Sequence, residues 1–100
     1  MGKTAYTTDE IIKTLEPVFY NNGVRRAVLF GSYSSGMATE NSDVDILVDS
    51  GLKGMAFFGL LEDVTEALDD NVDLIDITQV IPNSKVEEEI NRNGIVIYER

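Results

Sequence analysis

"FGSYSSGMATENSDVDILVD", Phe30 to Asp49, places a glycine- and serine-rich turn ahead of an acid, one residue, and a second acid at the head of an apolar run. Within DVDILV, Val44, Ile46 and Val48 alternate with Asp43, Asp45 and Leu47, the period-two pattern of a strand with one apolar face. Asp43 and Asp45 therefore point the same way, with their bases roughly 6 to 7 Å apart. Gly31 lets the backbone of the turn come close to a ligand, and Ser32 offers a hydroxyl and an amide to phosphate oxygens.

Outward from this stretch the chain alternates helix and strand signals. Upstream, Thr7 with Glu10 makes a capping-box pattern. Ile11, Ile12, Leu15, Val18 and Phe19 follow at helical spacing and Gly23 ends the run, with Pro17 expected to kink or divide the helix. RRAVLF, ending at Phe30, reads as a buried strand. Downstream, MAFFGLLEDVTEALDD carries Phe57, Leu60, Leu61, Val64 and Leu68 on one helical face despite Gly59, and NVDLIDI is a third strand. PNSKVEEEINRNG reads as a proline-started helix closed by Gly94, and IVIY as a last strand. The dozen or so residues between the first two strands allow a helical turn but are marginal for a parallel crossover. The fold class is α+β: a mixed β-sheet of about four strands with helices packed on it.

One hundred residues with 43% hydrophobic content suit one domain spanning residues 1–100, and no linker or repeat divides them. No apolar run is long enough to span a membrane, and the N-terminus lacks a signal-peptide pattern, so a cytoplasmic location is expected. Met1-Gly2 suggests myristoylation, but Tyr6 stands where that motif needs Ser or Thr. Without cysteine or histidine, disulfides, thiol nucleophiles and imidazole triads are excluded. A net charge of -10 repels a phosphate backbone, which argues against nucleic acid as a stand-alone partner and favours divalent ions, cationic molecules or a basic protein.

By itself an Asp-x-Asp pair also suits a solvated sheet face, and a glycine-serine turn also suits an ordinary helix start. Together they can seat Mg²⁺ and phosphate, because Mg²⁺ takes a few carboxylates plus waters and phosphate oxygens. A third acid is available in Asp73, in the later strand. Asp76 lies an odd step away and faces the other side, and Asp49 lies too far along its strand to join. Gly31 and Gly36 imitate the start of a P-loop, but Met37 and Ala38 stand where that loop needs Lys and Ser or Thr.

Gly31-Ser32, ten intervening residues, then Asp43-Val44-Asp45 resembles the GSx10DxD signature of minimal nucleotidyltransferase (MNT) domains of the DNA polymerase beta-like superfamily. VLFGS, SDVDILVD and NVDLID extend that resemblance over most of the chain from Val24 to Tyr98. The resemblance implies the nucleotidyltransferase fold, with Asp43, Asp45 and Asp73 catalytic and holding two Mg²⁺ ions, and Gly31, Ser32 and Ser42 binding the nucleotide, ATP. It also implies an antitoxin paired with a HEPN-type toxin, to whose hydroxyl AMP is transferred. Tyr33, Ser34 and Ser35 replace the arginines that many relatives carry in the turn, and Arg25 and Arg26 are the nearest substitutes. A module that neutralises its partner by contact alone is the alternative, and transfer to a cationic small molecule a lesser one.

Overall fold

The computed structural model describes residues 6–100, so Met1 and Gly2 lie outside the described residues. Helix α1, Thr8–Asn21, begins with Thr7 and Glu10 capping each other's backbone amides. It runs through Pro17 as one helix, so the proline does not divide it. The proline forfeits one backbone hydrogen bond, and Ile11, Leu15 and Phe19, buried on both sides of it, pack the helix against the core. Strand β1, Arg26–Phe30, follows, and the four-residue helix α2, Ser32–Ser35, then sits between Gly31 and Gly36.

Strand β2 is Val44–Asp49, helix α3 Met55–Leu68 and strand β3 Val72–Asp76, followed by a 3₁₀ turn at Ile77–Gln79. Helix α4, Lys85–Asn93, and strand β4, Ile95–Glu99, complete the order. α4 is not started by proline: Ser84 is its N-cap, accepting from the amide of Glu87, while Pro82 and Asn83 form the turn before it. A serine oxygen satisfies an orphan amide, which proline cannot do. Gly94 closes α4 because of space, since a Cβ there would stand 2.4 Å from the Ile90 carbonyl oxygen and 2.8 Å from Val28 Cγ1.

The sheet order is β3-β2-β1-β4, with β1 antiparallel to both neighbours and β2 parallel to β3. This is the expected mixed sheet. The loop through α2 turns the chain back beside β1, and the longer passage through α3 provides the one parallel crossover. α1 and α3 cover one face, where Ile11, Leu15, Phe19, Leu60, Val64 and Leu68 pack on Ala27, Leu29, Val44, Ile46, Val48 and Ile97. Tyr33 of α2 joins this core with its hydroxyl buried and, among the described residues, lacking a hydrogen-bond partner. An unsatisfied buried hydroxyl costs on the order of 1 kcal/mol or more, so Tyr33→Phe is expected to raise the unfolding free energy by about that amount, read as a higher denaturant midpoint with the slope unchanged.

The opposite face is only partly covered by α4, and strand register divides it into rows. Val96, Val28, Leu47 and Ile75 align across all four strands as an apolar row. One step along, Phe30, Asp45 and Asp73 align across β1, β2 and β3.

Candidate active site

Asp45 and Asp73 are register partners in the parallel β2–β3 pair, so their side chains stand side by side on the open face. Asp43 lies just before β2, two residues from Asp45, and is exposed. Phe30 is Asp45's partner on the other side and is buried, giving the carboxylate an apolar neighbour that no sequence pattern marks. The Asp45 carboxyl is pushed up to about 6, first by burial and then by the negative charges of Asp73 and Asp43. Among the described residues no lysine or arginine pairs with these acids.

The turn packs directly on the cluster. Gly31 has φ 72° and ψ -148°, backbone that other residues essentially avoid, and a Cβ there would lie 2.2 Å from Asp45 Oδ2. Glycine is therefore required twice over, by conformation and by the carboxylate against it. Ser32 opens α2, and its carbonyl accepts from the amide of Met37 at 2.9 Å. The Ser42 hydroxyl accepts from the amide of Thr39 at 2.9 Å, which braces the loop leading to Asp43.

Asp76 faces away from Asp73 and is buried at the far end of β3. It accepts from Ser50 Oγ at 2.6 Å and Ser50 N at 3.2 Å, and from Thr78 Oγ1 at 2.8 Å and Thr78 N at 3.1 Å. These bonds pin the end of β3 to the residue after β2, and so hold the register that places Asp73 beside Asp45. Asp76→Ala is expected to cost about 2 to 4 kcal/mol in chemical denaturation, because it leaves buried donors unpaired. Burial pushes the Asp76 carboxyl up, but the Ser50 and Thr78 hydrogen bonds outweigh it and leave it below the usual carboxylate range. The unfolded chain then binds the proton more readily. The stabilisation is complete above the unfolded value near 3.9 and is lost as pH falls through the lower folded one. The difference between native and Asp76→Ala proteins should accordingly shrink below about pH 4.

Asp49 is remote from the cluster and ion-paired to Arg25 at 2.8 Å. Arg26 pairs with Glu99 at 3.6 Å. Both arginines sit at the opposite end of β1 from Gly31, so neither reaches the turn to replace the missing arginines.

Hard oxygen donors on one face, uncompensated by any cation among the described residues, suit a hard divalent ion such as Mg²⁺. Among the described residues no three such groups already converge closely enough to grip one.

A four-stranded mixed sheet carries paired aspartates, a third acid one strand over and a glycine-serine turn against Asp45, the arrangement that the sequence resemblance to nucleotidyltransferase domains implies. The family model for "Polymerase beta, Nucleotidyltransferase" matches residues 11–100, and the chain belongs to that family. Its relatives are more particular. A putative protein adenylyltransferase of Methanocaldococcus jannaschii is 34% identical over 77 residues, covering 74% of this chain and 82% of the relative. The protein adenylyltransferase MntA of Shewanella oneidensis is 45% identical over 51 residues, 49% of this chain and 37% of that protein. A crystal structure of a toxin–antitoxin complex with AMP-PNP matches at TM-score 0.72 and 29% identity, over 89% of this chain and 73% of that one. An MntA–HepT toxin–antitoxin structure matches at TM-score 0.59 and 28% identity, over 93% and 70%.

Proposed function

We propose that this chain, acting as a single minimal domain, transfers AMP from ATP to a hydroxyl of a HEPN-type toxin and so serves as its antitoxin. The observation that carries this reading is the Asp45–Asp73 register pair with Gly31 packed against Asp45. Relatives named as adenylyltransferases and a similar toxin–antitoxin structure holding an ATP analogue support it. In this reading Gly31 and Ser32 receive the triphosphate. Asp43, Asp45 and Asp73 would hold two Mg²⁺ ions, which when bound neutralise phosphate charge and polarise the reacting groups. The acceptor hydroxyl oxygen bonds to the α phosphorus as the bond from that phosphorus to the bridging oxygen breaks. Pyrophosphate leaves with that oxygen, and the hydroxyl proton passes to a carboxylate of the cluster and on to water.

The test is to incubate the chain with Mg²⁺-ATP and the purified protein encoded beside its gene, then weigh both intact. A gain of one or more AMP masses on the partner is expected; no gain on either protein overturns the reading. The pairing of Arg25 and Arg26 away from the turn favours a second reading, neutralisation by contact. That reading predicts that Asp43→Asn combined with Asp45→Asn leaves inhibition of the partner intact. Among the described residues no helix is long and apolar enough to cross a membrane. A cytoplasmic site of action is proposed with the rest.

A further inference from the structure

Beside the acid row lies a groove that the proposed chemistry does not use. The row Val96, Val28 and Leu47 forms its floor, Ile90 of α4 one wall, and Ile77 and Val80 the other, around a volume of about 450 Å³. Val96 is 43% and Ile77 45% exposed, although each borders apolar neighbours. Exposed apolar surface gathered in a concave site, unlike scattered single side chains, marks a place where something binds.

Position identifies the occupant. Leu47 lies two residues beyond Asp45 on the same strand and face, so the groove floor begins roughly 6 to 7 Å from the carboxylate row. Beyond the groove, Ile75 pairs with Leu47 in the strand register as Asp73 pairs with Asp45. A chain segment with an apolar side chain in the groove reaches the acids within two to four of its own residues, given about 3.3 Å per extended residue. The volume admits a couple of large side chains, not a whole helix. Charge narrows the choice further. The net charge is -10, Glu87 lines the groove, and its one arginine, Arg26, is already paired with Glu99. A basic segment is therefore drawn to this face and an acidic one repelled.

We infer that the sheet groove is the acceptor-docking site: it takes an apolar side chain from a basic segment of the partner protein, two to four residues from the hydroxyl presented to Asp45 and Asp73. The inference rests on the transfer reading for its occupant, but it is tested by binding, which does not need turnover. The probe is the purified protein encoded beside this chain's gene. Its affinity is measured for the Asp43→Asn/Asp45→Asn chain and for the same chain with Ile77→Ser and Val96→Ser added; both added positions are surface-exposed, and a melting curve checks the fold. Phe58→Ser, at a position exposed on α3 across the sheet, serves as control. The expected result is a loss of at least tenfold in affinity for the groove variant and less than twofold for the Phe58 variant. An unchanged affinity for the groove variant, an equal loss for the control, or no binding of the probe to the parent chain overturns the inference. Absence of AMP transfer with groove-dependent binding intact would instead remove the catalytic reading and leave the docking site standing.

Discussion

Asp45→Asn is expected to cut AMP transfer by at least about 100-fold while making the metal-free protein more stable, by on the order of 1 kcal/mol at pH 7. The loss follows from removing one of two side-by-side carboxylates where charge must be held during transfer. The gain follows from the cost of ionising Asp45, whose carboxyl is pushed up to about 6 by burial and by Asp73 and Asp43. The sign follows from proton counts. Between the unfolded value near 3.9 and about 6 the folded chain binds more protons than the unfolded chain, so its stability falls as pH rises across that interval. The full shift would be worth more, but the side chain is half-exposed and solvent screening reduces it. Denaturant titrations at pH 4 and pH 7 check the prediction. The variant should lose less stability than the native chain between these pH values, and an equal loss would mean that the Asp45 carboxyl is not raised in the folded chain.

Gly31→Ala is expected to damage both stability and the acid cluster. The new Cβ meets Asp45 Oδ2 at 2.2 Å, and φ 72° with ψ -148° is costly for any side chain. A stability loss of about 2 to 4 kcal/mol is expected, together with loss of transfer as the carboxylate is driven aside. Gly36→Ala is the control. It also has positive φ, at 81°, but a Cβ there meets nothing within 4 Å, so about 1 kcal/mol should be lost and transfer retained. Comparable losses at both positions would show that the turn's conformation matters and its contact with Asp45 does not.

Much of this arrangement is legible in the amino-acid sequence. Alternation in DVDILV and NVDLIDI places Asp43, Asp45 and Asp73 on strand faces, and the odd step to Asp76 places it on the other side, where it is found. The capping box at Thr7 likewise declares the start of α1. Such features depend on local periodicity. What the sequence hides depends on packing between distant segments. The continuity of α1 through Pro17 is enforced by the core, and Gly94 is required by Val28, far away in sequence. Phe30's place beside Asp45 needs the β1–β2 register, and the pairing of Arg25 and Arg26 away from the turn needs Asp49 and Glu99 in place. The bond from the Thr39 amide to the Ser42 hydroxyl likewise depends on how the loop before β2 turns.

The two strand connections bear on how the cluster comes together during folding. The antiparallel β1–β2 pair closes over a short loop and can unite Gly31 with Asp45 early. The parallel β2–β3 pair needs all of α3 in position before Asp73 arrives. A chain emerging from the ribosome therefore carries two of the three acids, Asp43 and Asp45, while Asp73 is still being made, and the cluster is complete only when the crossover docks.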